Sequence, residues 1–317
     1  MDNDEEIANG TSPVDPADYP DADGDLVPNS VEISVGTNPN DANDFQDNDG
    51  DWVPNYVEQI LQFNLGQGDT DEDNNSQFLD TDFGGLPDYV ETVLLPNNGF
   101  NPGNSLNPGD DIGDHDGDGV SSDQEITDET NPADNTDFLD TDGDLVPEQW
   151  ETNFGTDPND PLNYPDADND FVPDYVETIL QPNMGQASTN PNDASDFIDT
   201  DSGGVPDYVE ETLLLVAGLT ATDKNLAADD ANDTDGDGVN NDDEIAQGTN
   251  PADATDYPDA DGDLVPDNVE TTAGTDPNDA NSYPDNDSDL VPNYVETIFQ
   301  PNTGAAATNE NDGADFQ

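Results

Sequence analysis

The chain repeats itself at a fixed interval. DADGDLVPNSVE at 21–32 returns as DTDGDLVPEQWE at 140–151 and as DADGDLVPDNVE at 259–270, shifted by 119 residues each time. DNDGDWVPNYVE at 47–58 returns at 166–177 and 285–296, and DTDFGGLPDYVE at 80–91 returns at 199–210, in the same register. Disordered tails seldom hold so constant a long period, so the pattern marks a folded repeat array. Each period divides into four units, which in the middle copy begin at Asp114, Asp140, Asp166 and Asp199 and run 26, 26, 33 and 34 residues. The organisation expected is a partial unit at 1–20, a first period at 21–113 with units at 21, 47 and 80, a second at 114–232, and an incomplete third at 233–317 with units at 233, 259 and 285. Residues 2–7 align with 121–126, and the chain stops where another unit would begin. The expectation is a piece of a longer protein, with any signal peptide or anchor outside it.

Counted from the first aspartate of each unit, position 1 is Asp, 3 is Asp, 5 is usually Asp, 9 is Asp, Asn, Ser or Glu, and 12 is Glu. Oxygen donors at 1, 3, 5, 9 and 12, with the carbonyl of position 7, give the six or seven hard ligands that Ca2+ takes in an EF-hand-type loop. Magnesium wants a tighter octahedron, and transition metals lack the His or Cys they prefer. The candidate ligands are Asp21, Asp23, Asp25, Val27, Asn29 and Glu32 in the first loop, then Asp47, Asp49, Asp51, Val53, Asn55 and Glu58. The loop at 80 offers Asp80, Asp82, Leu86, Asp88 and Glu91; that at 114 offers Asp114, Asp116, Asp118, Val120, Ser122 and Glu125. Asp140, Asp142, Asp144, Val146, Glu148 and Glu151 follow, then Asp166, Asp168, Asp170, Val172, Asp174 and Glu177. The loop at 199 offers Asp199, Asp201, Val205, Asp207 and Glu210; that at 233 offers Asp233, Asp235, Asp237, Val239, Asn241 and Glu244. The last two sets are Asp259, Asp261, Asp263, Val265, Asp267 and Glu270, and Asp285, Asp287, Asp289, Val291, Asn293 and Glu296. About ten Ca2+ sites are therefore expected. A lone D-x-D-x-D would be weak in so acidic a chain, but position 7 is Val or Leu in every loop, and a solvated acidic coat has no use for that apolar register.

The charge balance supports a cation-dependent fold. One lysine, no arginine and 79 acidic side chains give a formal charge of -78. Nucleic acid and anionic membranes need clustered Lys/Arg, and there are none to cluster. Leu, Ile, Val and Phe number 59, about 19% of the chain, a level at which composition alone reads as disorder. Cysteine is absent, which removes disulfides and thiolate metal sites. No apolar stretch approaches the ~20 residues needed to span a bilayer, so membrane insertion is not expected.

After each loop a short helix is expected. In 172–180, Pro173 suits a first turn, Val172, Val176, Ile179 and Leu180 share one face, and Pro182 should stop the helix. In the 26-residue units it should end sooner, at Gly36, Gly155 and Gly274. Aromatics stand before most loops (Tyr19, Phe45, Phe78, Phe138, Tyr164, Phe197, Tyr257, Tyr283, Phe316) and are expected to cap each apolar cluster against the next. The turn glycine of EF-hand-type loops at position 6 is present as Gly85, Gly119, Gly204 and Gly238 but replaced by Leu26, Trp52, Leu145, Phe171, Leu264 and Leu290. Bulky residues at positive φ are costly, so those six loops are expected to turn differently. The loops at 80 and 199 carry Gly84 and Gly203 at position 5 and lose a carboxylate; water or a neighbouring unit's oxygen must substitute, or the site is weak.

Asp233 through Glu244, DTDGDGVNNDDE, followed by Gly248-Thr249-Asn250-Pro251, resembles the thrombospondin type 3 calcium repeats in their cysteine-free bacterial form. The resemblance covers nearly the whole chain. It implies a calcium-stapled repeat array, mostly irregular loops with short helices, in an elongated extracellular rod.

No catalysis is expected. His115 sits at a non-ligand position expected to be solvent-exposed, and Lys224 stands alone. The reading favoured is a calcium-rigidified stalk or fibre segment of a secreted or cell-surface microbial protein, able to pair with itself head-to-tail. The alternative is an adhesin or carbohydrate- or protein-binding module, with 213–226 as the segment that breaks the period. Asn9, Asn74, Asn232 and Asn286 are candidate glycan acceptors. Asp41, Asp134, Asp160, Asp193, Asp253 and Asp279, after the turns, are candidates for further calcium.

Overall fold

A computed structural model describes residues 19–62 and 70–314. Most of the partial unit at 1–20, the Asn9 acceptor and Phe316 lie outside the described residues. Within them the backbone forms irregular loops and short helices, and no strand. The chain packs as two compact units, residues 1–139 with 183–186 and residues 140–182 with 187–317.

Each acidic loop runs into a helix at position 9. In the shorter units this is a seven-residue α-helix, as in Asn29–Val35, Glu148–Phe154 and Asp267–Ala273, with Pro at the N-cap in extended conformation. Gly36, Gly155 and Gly274 end these helices at φ 98°, 85° and 83°, the left-handed cap that glycine adopts without strain. The longer units behave differently. Over Val57–Gln62, Val90–Leu94, Val176–Leu180, Val209–Leu213 and Val295–Phe299 the helix widens, and the Leu95 and Gln181 N–H groups reach back five residues to the Val90 and Val176 carbonyls. Pro182 does not stop its helix, which continues through Gln181–Asn183, as it does past Pro96 and Pro301 in Leu95–Asn97 and Gln300–Asn302. A proline ring is excluded from an α-helix by clash with the carbonyl four residues back and by its missing N–H; the widened turn before it relaxes both constraints.

The six bulky position-6 residues also depart from expectation. Leu26, Trp52, Leu145, Phe171, Leu264 and Leu290 take φ between 62° and 75° and turn as the glycine loops do. Left-handed backbone costs about 1–2 kcal/mol; one bond offsets it in all six loops and a second in four of them. The position-6 N–H donates to the first aspartate, as Leu26 to Asp21 Oδ2 at 3.1 Å. The tyrosine before the loop donates its hydroxyl to the position-6 carbonyl: Tyr19 to Leu26, Tyr164 to Phe171, Tyr257 to Leu264 and Tyr283 to Leu290, at 2.6–3.3 Å.

Position 7 is the apolar anchor; from Val27 to Val265 every residue there is buried. In the first compact unit Val53, Val57, Leu61, Leu86, Tyr89, Val90, Leu94 and Leu95 form one cluster with Ile126 and Ala133. A smaller one in the second unit joins Val239, Tyr257, Val265 and Tyr294. The aromatics before the loops meet the next unit's position-10 tyrosine edge to face: Tyr19–Tyr56, Phe45–Tyr89, Tyr164–Tyr208 and Tyr257–Tyr294, at 5.6–6.2 Å between centroids. That tyrosine also braces the loop two units back. Tyr89, Tyr208 and Tyr294 donate to the carbonyls of Asp25, Asp144 and Asp237 at 2.7–2.8 Å, and Asn97 and Asn302 donate to the Gly24 and Gly236 carbonyls. Tyr208→Phe should therefore lower stability by about 1 kcal/mol; urea denaturation with and without the substitution measures it.

Candidate metal centre

Each loop folds around its own carboxylates. The first aspartate accepts the N–H groups of positions 4 and 6 in all ten loops, for example Gly24 and Leu26 on Asp21 at 2.7 and 3.1 Å, and Ser288 and Leu290 on Asp285 at 2.7 and 3.1 Å. The position-5 aspartate uses one oxygen to accept the position-7 N–H, as Asp25 from Val27 at 2.7 Å and Asp170 from Val172 at 2.9 Å. The position-9 side chain buckles the ends of the loop together. Asn29, Asn55, Asp88, Asp174, Asp207, Asn241, Asp267 and Asn293 each accept the position-2 N–H at 2.7–3.2 Å. Glu148 accepts instead from the Thr141 hydroxyl. Ser122 is too short to make this span, and the His115 ring at position 2 reaches it, Nδ1 to Oγ, at 2.9 Å. His115 is thus half-buried rather than solvent-exposed.

What these bonds leave over decides the chemistry. At position 3 the Oδ2 atoms of Asp23, Asp82, Asp116, Asp142, Asp201, Asp235, Asp261 and Asp287, and both carboxylate oxygens of Asp49 and Asp168, are buried without a hydrogen-bond partner. So are the second oxygens of Asp25, Asp51, Asp144, Asp170, Asp237, Asp263 and Asp289 at position 5. The glutamates at position 12, Glu32, Glu58, Glu91, Glu125, Glu151, Glu177, Glu210, Glu244, Glu270 and Glu296, are all 0–1% exposed, and each keeps at least one buried oxygen unpartnered. Carboxylate oxygens of positions 1, 3 and 5 lie within 4.8 Å of one another in the loops at 21, 47, 114 and 140; Asp80, Asp82 and Asp111 do so at 80, and five further groups exist among the described residues. The position-12 glutamate stands outside the groups named but feels their charge. Burial, then Asp116 and Asp118, pushes Glu125 up to about 10, and burial, then Asp235 and Asp237, does the same for Glu244. The only ion pair among the described residues is Lys224 with Glu211, at 2.8 Å on the surface.

The loops at 80 and 199 replace their missing carboxylate from outside the loop. Asp111 Oδ2 accepts the Leu86 N–H at 2.9 Å and Asp230 Oδ2 the Val205 N–H at 3.0 Å, the bond that position 5 makes elsewhere. Neither aspartate was among the candidates; the signal in the sequence was the pairing of Gly84 with Asp111 and of Gly203 with Asp230 at the same interval. The turn aspartates Asp41, Asp134, Asp160, Asp193, Asp253 and Asp279 fold their own turns by accepting the N–H two residues on. Several also face the loops: after burial and closer charges, Asp160 adds to the upward shift of Asp142, and Asp253 to that of Asp235. The chain matches no protein-family model, no curated protein and no solved structure.

These donors fit a hard divalent cation: oxygen only, grouped, buried, and lacking any protein donor to satisfy them. The same groups fix a pH dependence. Burial raises Asp25 to about 7, Asp51 and Asp144 to about 8, and Glu32 to about 7, from ordinary values of 3.8 and 4.5. Between those limits the ion-free folded chain holds more protons than the unfolded one, so its stability falls as pH rises. Chelated protein should therefore be most ordered near pH 4 and lose order progressively through pH 8, which circular dichroism across that range would show; constant order would contradict it.

Proposed function

We propose that the chain is a non-enzymatic, calcium-stapled array, and that each loop cages a Ca2+ ion. The observation that carries this is the set of ten buried position-12 glutamates with unpartnered oxygens. An uncompensated buried carboxylate costs several kcal/mol, and a folded domain commands only about 5–15 kcal/mol of net stability. Ten such groups cannot stay charged and buried on protein contacts alone. The one lysine is occupied at the surface, so the compensating charge comes from cations in solution.

Positions 1, 3 and 5 would hold the ion, with the position-7 carbonyl and the position-12 glutamate completing the shell. The ion supplies positive charge and a coordination point, and no chemical step follows from it. The turn aspartates add donors for further, weaker ions. Six or seven oxygens from irregular backbone suit Ca2+ better than Mg2+, and extracellular modules of this kind bind at roughly 10^-4 to 10^-3 M. The array is thus ordered outside cells and loose in a cytosol. Together with the resemblance to thrombospondin type 3 repeats, this supports an extracellular structural role: a stiffened stalk or fibre segment of a microbial surface protein, built on the 119-residue period and able to continue head-to-tail.

Small-angle scattering and circular dichroism of the full chain, in calcium and then in chelator, test this. An extended ordered particle that collapses to a coil on chelation is expected; identical profiles in both conditions would end the calcium reading. Replacing Val176, Ile179 and Leu180 together by Ser should abolish calcium-dependent order, whereas simple calcium storage, needing no fixed geometry, would survive the change.

A further inference from the structure

Gly84 and Gly203 stand at position 5, and neither has the positive φ that calls for glycine. Their requirement is room. A Cβ on Gly84 would lie 2.1 Å from Asp111 Oδ2, and one on Gly203 2.1 Å from Asp230 Oδ2. The distant aspartate occupies the space that the loop's own side chain fills elsewhere. Asp111 and Asp230 are fully buried, and in each the second oxygen, Oδ1, has no hydrogen-bond partner. Asp111 shares the 4.8 Å group with Asp80 and Asp82. The intervening chain closes over the same site: Gly103 N–H donates to the Glu91 carbonyl at 3.0 Å, and Asp110 Oδ2 accepts the Asn104 N–H at 2.9 Å.

The same residue also touches the next loop. The Asp111 carbonyl accepts the Asp123 N–H at 3.2 Å, in the first turn of Ser122–Asp128, and the Asp230 carbonyl accepts the Asp242 N–H at 3.1 Å, in the first turn of Asn241–Gln247. The other eight loops, short and long, carry an aspartate of their own at position 5.

Resting on the calcium reading above, we propose that the loops at 80 and 199 are two-segment cation sites. Asp111 and Asp230 supply the missing ligand from 25 residues beyond the N–H each one caps, and ion binding there couples each site to the loop that follows. A cation at 80 fixes Asp111, which closes the chain between and holds the helix entry of the loop at 114. The pair at 199 and 233 works alike. These two sites are then the places where the array gains cooperativity between neighbouring ions, because one residue serves both.

The test uses the full chain. Native mass spectrometry counts bound calcium, calorimetry gives affinities, and amide exchange follows 103–111 and 122–128. Asp111→Ala should lose a single ion, or weaken one site by at least about tenfold, and should speed exchange in both segments. Because this variant could also disturb folding, Gly84→Asp/Asp111→Gly serves as a transplant that returns the carboxylate to position 5. It should restore the ion count while exchange over 103–111 stays fast. If Asp111→Ala keeps the wild-type ion count and affinities, or if the transplant fails to restore the lost ion in a chain that still folds, the two-segment site is wrong and the calcium array stands. If the wild-type chain takes up no calcium, the array reading fails and this proposal fails with it.

Discussion

Everything in this fold answers to one electrostatic fact: carboxylates are buried in rows, and the chain carries almost nothing positive to set beside them. The position-5 aspartate of a loop divides its two oxygens between two tasks. One accepts backbone N–H groups and so shapes the loop; the other is left buried and facing its neighbours. Asp25 accepting from Val27 with its second oxygen unpartnered is the pattern in small. Shape and charge are thereby linked, because the bonds that build the loop also bring like charges together. Without cations the arrangement is self-defeating at neutral pH, and protonation is the only other escape.

The apolar contribution is real but thin. Position 7 buries a single Val or Leu per loop from Val27 to Val265, and the clusters around it are filled out by the tyrosines before the loops and at position 10. Those tyrosines work twice, through ring contacts with the neighbouring unit and through hydroxyl bonds to carbonyls of position 5 or 6. The carbonyls so occupied are those of the tightest part of the loop, where residues such as Leu26 and Leu145 sit at left-handed backbone angles. The strain is held by partners from other units, so a loop's conformation belongs to the array more than to its own twelve residues.

That explains which parts were legible in the sequence. Positions 1, 3, 7 and 12 could be read directly, since the signal is local and recurs in every loop, and the glycine caps at Gly36, Gly155 and Gly274 followed from backbone preference alone. The rest depended on partners far along the chain. Leu26 and Phe171 were expected to avoid positive φ because intrinsic preference says so; the tyrosine hydroxyl and the Asp N–H acceptor that override it are visible only once the loop is folded. Gly84 looked like a lost ligand because its replacement, Asp111, is distant in sequence. The correlated recurrence of Gly203 with Asp230 was the available clue. His115 looked exposed because nothing in the sequence says that Ser122 is too short to close its loop.

The widened helices follow from the same demand that places the glutamate. In the longer units the buried residues fall in adjacent pairs: Val90 and Glu91 with Leu94 and Leu95, Val209 and Glu210 with Leu213 and Leu214. One member of the first pair must enter the apolar cluster while the other points its carboxylate toward the loop. An ordinary α-helix spreads neighbouring residues by roughly a quarter turn or more, which would carry the glutamate away from the face that packs. Opening the turn brings the four residues onto a narrower face and lets the chain run through proline, so the helix extends far enough for Asn97 and Asn302 to reach the loop two units back. The shorter repeats, which bury little beyond their glutamate, keep the ordinary helix and stop at a left-handed cap, glycine in four of them and Glu129 in the repeat at 114. Helix geometry here is set by where the carboxylate must go, and the apolar residues are arranged around that choice.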